Sequence, residues 1–231
     1  MNPPVYFVHG LLGTAYGHFG AQIKAWQGAH RVIPVDLPGH GRCPLDAGPD
    51  LLDESLDYLL ALLARFGAGR IVAASYLGGP LAVRCVTARP DLVRSLVLTG
   101  FAPDPDPVSV LAQLGGFRKL AYGNVDLAAE YDRLHTVRWR RTLAAFTDHV
   151  TRSFEETVLV RSRSLASSPV DVLILNGDLK SVERTAAERA GRLGQRVHGQ
   201  VIPQAGHIAS HDAPEPFTRA VEKFWWEDGR R

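Results

Sequence analysis

The 231-residue chain is poor in cysteine: Cys43 and Cys85 are the only two, with no spacing that suggests a disulfide framework or a thiolate metal site. A reducing, cytoplasmic setting is the expectation that follows. Long apolar runs are also missing. The richest stretches, "LVLTGF" and "VDVLILNG", are strand-sized and far short of a membrane span. No basic segment followed by an apolar one opens the chain, so no signal peptide is expected from "MNPPVYFVHG". Neither sign of charge dominates. A net charge of +2 gives no electrostatic reason to expect nucleic acid or a membrane surface as partner. Lysine is scarce, with four among the 26 Lys and Arg residues, a bias that speaks of a GC-rich genome rather than of chemistry. There is no internal repeat, no G-x-G-x-x-G in a strand-to-helix context, and no His/Cys/carboxylate cluster with metal-ligand spacing. These gaps leave a cofactor-free site for a small-molecule substrate.

What the chain does contain is an alternation of short apolar runs with helical patterns, the mark of a parallel sheet covered by helices. With 45% hydrophobic residues it has ample material for one core. Strands are expected at residues 5–8, 31–36, 70–74, 95–99, 170–175 and 196–202. Between the second and third, Leu52, Leu56, Leu59, Leu60, Leu63 and Phe66 recur at helical spacing, with Asp50 placed to cap the start and Gly67 and Gly69 to end it. A last helix is expected over 214–226, with Phe217, Ala220, Val221, Phe224 and Trp225 on one face. Residues 104–168 break the alternation: they read as helices without a strand. In a single α/β domain spanning 1–231, such an insertion leaves the carboxyl end of a strand and caps the crevice where ligands bind. The cap carries nine Lys or Arg against six Asp or Glu between Arg118 and Arg163, including "RWRR" at 138–141. Either this is a solvated helix face, or one or two arginines meet a polar substrate.

Five short motifs follow the expected strands in order: "VHGLLGT" (8–14), "DLPGHGRC" (36–43), "AASYLGGPLA" (73–82), "NGDLK" (176–180) and "AGHIAS" (205–210). The series resembles the α/β-hydrolase superfamily across nearly the whole chain. That resemblance implies a mainly parallel sheet, here of about six strands, with a helical cap; unlike many members, the chain starts directly at the strand before "HG", so the usual leading antiparallel strands are expected to be absent or very reduced. It also implies an oxyanion hole: one backbone N–H just after "HG", at Leu11, and a second after the elbow residue. His207 in "AGHIAS" matches the family's acid–base histidine. His9 and His40 read as structural turn histidines, and His211 as part of the start of the last helix.

Two matched positions depart from the family pattern. In the nucleophile elbow, small residues flank a strained tip because strand and helix nearly touch there. Counting back from the glycine pair makes Ala74 and Gly78 the small positions and Tyr76 the tip. The N–H of Leu77 then becomes the second oxyanion donor. Ser75 remains the fallback nucleophile, in a register that sets Leu77 where a small residue is expected. The acid position, G-x-x-D in the family, is Lys180; Asp178, Asp104 and Asp106 are substitutes whose side-chain directions are unreadable. On this count the leading expectation is acid–base chemistry by Tyr76 and His207 on a small carbonyl or polyketide-like substrate: cyclisation, condensation, elimination or C–C cleavage in a biosynthetic setting. Lys180 would modulate the phenol. The alternatives are an ester, thioester or C–C bond hydrolase using Ser75 or a His207-activated water, and an inactive ligand-binding member of the fold.

Overall fold

The computed structural model describes residues 2–228. Its elements run β1 (Val5–Val8), α1 (Ala15–Trp26), β2 (Val32–Val35), α2 (Leu51–Phe66), β3 (Gly69–Ala74), α3 (Ser75–Ala88) and β4 (Val93–Thr99). Five helices follow: α4 (Pro107–Gly123), α5 (Val125–His135), α6 (Trp139–Arg152), α7 (Phe154–Thr157) and α8 (Ser162–Ala166). The chain then returns to β5 (Asp171–Gly177), α9 (Ser181–Arg189), β6 (Val197–Ile202), α10 (Ala209–Asp212) and α11 (Pro214–Asp228).

All six expected strands form, and every pairing is parallel, in the order β2-β1-β3-β4-β5-β6. The inner strands β1, β3, β4 and β5 are largely buried on both faces, which is why they read as continuous apolar runs, while the edge strands β2 and β6 are partly exposed. Their two-residue alternation divides the core. Tyr6, Val8, Ile71, Ala73, Leu96, Leu98, Val172 and Ile174 face one layer, which includes Leu59 and Leu63 of α2 and Leu81 of α3. Val5, Phe7, Val72, Val97, Leu173 and Leu175 face the other, where α1 and α11 pack and the Trp26 and Trp225 rings lie 4.6 Å apart.

The sequence placed α2 and α11 well, with one difference in capping. Asp50 occupies the N-cap position of α2 but its side chain makes no cap bond. The helix is carried instead by its buried face of Leu51, Leu52, Leu59 and Leu63. Gly67 does end it, at φ 104°, a backbone state that favours glycine.

Strand order reverses beside β1: β2 lies on one side of it and β3 to β6 follow on the other. At such a switch point the loops leaving β1 and β3 diverge to opposite faces and open a crevice at the strands' carboxyl ends. The helices between β4 and β5 lie over that end. Leu143, Phe146 and Val150 of α6, with Leu114 and Ala121 of α4, join the core layer that holds α2 and α3.

Candidate active site

The turn from β3 into α3 fixes the first side chain. Ser75, not Tyr76, is the residue with positive φ, at 57°, between the last strand residue and the first turn of α3. This overturns the expected register, and the reason lies in where the helix meets the strand. A Cβ on Gly78 would come within 2.7 Å of the carbonyl oxygens of both Val8 and His9. The close approach therefore falls three residues after the tip. Leu77, two residues after it, is fully buried and turns into the core, so its size is accommodated.

His207 comes from the loop between β6 and α10. Its Nε2 lies 2.8 Å from Ser75 Oγ and its Nδ1 lies 2.7 Å from Glu183 Oε1. With Nδ1–H donating to the carboxylate, Nε2 is left to accept the serine hydroxyl. Glu183 is the residue the sequence reading missed. It stands in the first turn of α9, three residues past Lys180, where an acidic side chain reads as a helix-dipole or capping partner. Its side chain is instead buried. The only signal for it was nearness in sequence to the expected acid position.

Three features hold this line of groups. Asn176, fully buried at the end of β5, donates from Nδ2 to the carbonyls of Phe101 and Glu183, each at 2.8 Å, and accepts from the Phe101 N–H. One amide thus ties β4's exit to the first turn of α9. The Asp178 and Leu179 N–H groups donate to Ile202 and Ala205, joining the loop before α9 to the segment that carries His207. Gly100, at φ 59°, lets the histidine ring pack on its Cα: a Cβ there would lie 3.0 Å from Cε1 and 2.6 Å from the His207 carbonyl oxygen.

The loop after β1 completes the arrangement. A Cβ on Gly10 would touch Ser75 Cβ at 2.8 Å and Oγ at 2.9 Å, so the backbone of this loop passes directly beside the serine. Leu12 holds φ 51°, and its carbonyl accepts a hydrogen bond from His135 Nε2 of α5 at 2.9 Å. His9 is structural: Nδ1–H donates to its neighbour's carbonyl at Gly10, and Nε2 accepts the Leu37 N–H at 3.0 Å. Burial pushes its pKa down to about 4.

The other expected site residues fall as follows. Tyr76 lines the cavity, but no hydrogen bond joins its phenol to His207 among the described residues. Burial, reinforced by the Glu183 carboxylate, pushes that phenol up to about 12, so it stays protonated and is no base. Lys180 lines the cavity as an exposed side chain and takes no part in the Ser75–His207–Glu183 line. The second candidate oxyanion donor moves back one residue with the register, from Leu77 to the N–H of Tyr76. Asp106 caps α4, and Asp104 bonds the Ser162 backbone and hydroxyl, so both are engaged away from His207. Asp178 makes no side-chain hydrogen bond to it either among the described residues, and its Oδ1 is buried without a partner. In "RWRR", Arg138 binds the Cys43 and Gly41 carbonyls and Arg140 binds Asp132. None of these arginines lines the cavity: Arg140 stays on the exposed face, and Arg138 ties the start of α6 to the loop after β2.

Above the serine lies a cavity of about 470 Å³, within the size range of small-molecule sites. Leu11, Leu77 and Ile208 line its floor side, and Val110, Leu114, Phe117, Tyr131, Phe146 and Val158 come from the helices between β4 and β5. His18 and Gln113 add polar groups. Among the described residues no cluster of three His, Cys, Asp or Glu is placed to hold a metal, and no helix is long and apolar enough to cross a membrane.

Comparison with known proteins agrees with this architecture. Residues 5–220 match the model described as "Alpha/beta hydrolase family". Among solved structures, NosK from Streptomyces actuosus is 58% identical, with a TM-score of 0.97 over 99% of this chain and 100% of that one. A meta-cleavage product hydrolase from Pseudomonas fluorescens shares the fold, at 20% identity and a TM-score of 0.74 over 98% of this chain and 91% of that one. In sequence, the mouse protein "sn-1-specific diacylglycerol lipase ABHD11" is 24% identical over 96% of this chain and 80% of its own.

Proposed function

The chain belongs to the alpha/beta hydrolase family, and from that premise we propose that it is a serine enzyme cleaving an ester or thioester of an apolar acyl group. The observation that carries this reading is the hydrogen-bonded line Ser75–His207–Glu183, at 2.8 and 2.7 Å, at the foot of an apolar cavity. In this scheme Ser75 Oγ attacks the acyl carbon and His207 Nε2 takes its proton. Glu183 holds Nδ1–H, fixes the tautomer and stabilises the imidazolium. The carbonyl oxygen becomes an oxyanion, received by the N–H groups of Leu11 and Tyr76. Two features support that assignment. The first N–H groups of a helix have no intrahelical acceptor, and α3 has no side-chain cap. Gly10 also brings the loop after β1 within contact of Ser75. Collapse of the intermediate expels the alkoxide or thiolate, which leaves with the proton from His207. Water then attacks the acyl-serine, returns a proton through His207 and releases the acid.

The test is labelling and turnover together. A fluorophosphonate should label Ser75 and nothing in Ser75→Ala, and that variant should lose about 10⁴-fold or more in kcat on p-nitrophenyl esters. Undiminished turnover in Ser75→Ala would sink the serine reading. Tyr76→Phe should keep turnover within about threefold, because the protonated phenol enters no step; a loss on the scale of general acid–base catalysis, about 10²-fold, would restore it to the mechanism.

A further inference from the structure

His18 stands where the reaction scheme leaves a polar group unused. It lies in α1, lines the cavity, and packs against the loop that runs beside the serine. The Gly10 N–H donates to its Nδ1 at 3.2 Å. A ring nitrogen that accepts carries no proton, so in the neutral ring the proton sits on Nε2. Neutrality is secured by burial, with help from His9, His207 and His211, which together push the pKa down to about 3. Nε2 makes no hydrogen bond among the described residues, nor is it among their sealed-in polar atoms lacking a partner. It sits over Gly13, where a Cβ would come within 2.5 Å of it, so only a glycine leaves room for the ring there. A Cβ on Gly10 would also lie 2.9 Å from Ser75 Oγ and 3.3 Å from His18 Cε1, so the ring edge and the nucleophile both lie close to the same point beside Gly10.

We propose that His18 Nε2–H is a substrate-positioning donor, selecting acyl groups that carry a hydrogen-bond acceptor close to the carbonyl attacked by Ser75. The proposal rests on the serine reading and deepens it from an apolar acyl group to one with an ether, carbonyl or ring heteroatom near the reacting carbon. A fixed donor among mostly apolar cavity walls discriminates because an acyl group lacking the acceptor leaves it desolvated and unpaired.

Two isosteric probes test this: p-nitrophenyl methoxyacetate, with an ether oxygen near the carbonyl, and p-nitrophenyl butyrate, with a methylene in its place. Their kcat/KM ratio is corrected for intrinsic reactivity by the ratio of their hydroxide-catalysed rates. Two variants separate the roles of the ring nitrogens. His18→Gln places an amide N–H near the Nε2 position and gives up the acceptor for Gly10. His18→Asn keeps an acceptor near Nδ1 and gives up the cavity donor. The corrected ratio should favour methoxyacetate in the wild type, persist in His18→Gln, and fall about tenfold in His18→Asn, the worth of one hydrogen bond. A purely structural role for His18 predicts the reverse order, with His18→Gln the damaged variant, and overturns the proposal. So does a corrected ratio that is equal in all three proteins, or turnover of neither ester by a protein whose Ser75 still takes fluorophosphonate. Absence of that label would overturn the serine reading itself.

Discussion

At the scale of single residues, the proposed chemistry rests on side chains that are held as much as on those that react. Glu183 uses one carboxylate oxygen on His207, and Oε2 is buried without a partner among the described residues. Glu183→Gln keeps the shape but allows the amide to present N–H to the ring, which disturbs the tautomer. Turnover of a p-nitrophenyl ester should fall by about 10²- to 10⁴-fold while folding is retained, as near-unchanged circular dichroism would show. Gly100 is held to glycine twice over, by φ 59° and by the ring resting on it. Gly100→Ala should lower both the melting temperature and kcat, since relief of the contact displaces His207 from Ser75. Normal kcat with only a lower melting temperature would show that the ring does not depend on that packing.

At the scale of elements, the acid of the proposed mechanism is delivered by the docking of α9 rather than by a strand end. Asn176 carries that docking through its bonds to Phe101 and Glu183. Asn176→Ala leaves buried backbone groups unpaired and should cost about 1–3 kcal/mol in denaturant unfolding. Because α9 then loses its tie to β4's exit, kcat should fall more than KM rises. A pure stability loss at constant kcat would instead mean that α9 is positioned by its contacts with β5 and β6 alone. The elbow teaches a similar lesson. The rule that a small residue stands two places past the tip stands in for a contact between helix and strand. Here that contact is made at Gly78, and Leu77 is free to be large.

Across the whole molecule, neutral histidines join the layers. His9 bridges the loops after β1 and β2, His135 of α5 accepts from Gly41 and donates to Leu12, and His40 is buried between their rings. Burial is the leading cause that holds His9, His18, His40 and His135 below the ordinary imidazole value. In the unfolded chain these groups protonate near pH 6.5. Their folded pKa values are depressed, so their contribution is fully present above that pH. It is lost as pH falls toward the folded values, about 4 for His9 and about 3 for His18. Each histidine that protonates only on unfolding steepens the decline by up to about 1.4 kcal/mol per pH unit. The melting temperature should therefore drop progressively from pH 6.5 to 4, before most carboxylates titrate. A flat profile over that interval would contradict the burial of this cluster.

Six strands and the helices between them were legible because buried parallel strands leave short apolar runs and amphipathic helices repeat their apolar face along the sequence. The resemblance carried by "VHGLLGT" and "AGHIAS" pointed to Leu11 and His207, and the structure sets His207 Nε2 2.8 Å from Ser75 Oγ. The register of the turn after β3 and the carboxylate that meets His207 were not legible. Both depend on close approaches between segments far apart in the chain: α3 against the carbonyls of Val8 and His9, and α9 against Phe101 and the histidine loop. Local pattern fixes which residues can turn, pair or bury themselves. Which serine faces which histidine, and which carboxylate reaches it, was decided only when the sheet brought those ends together.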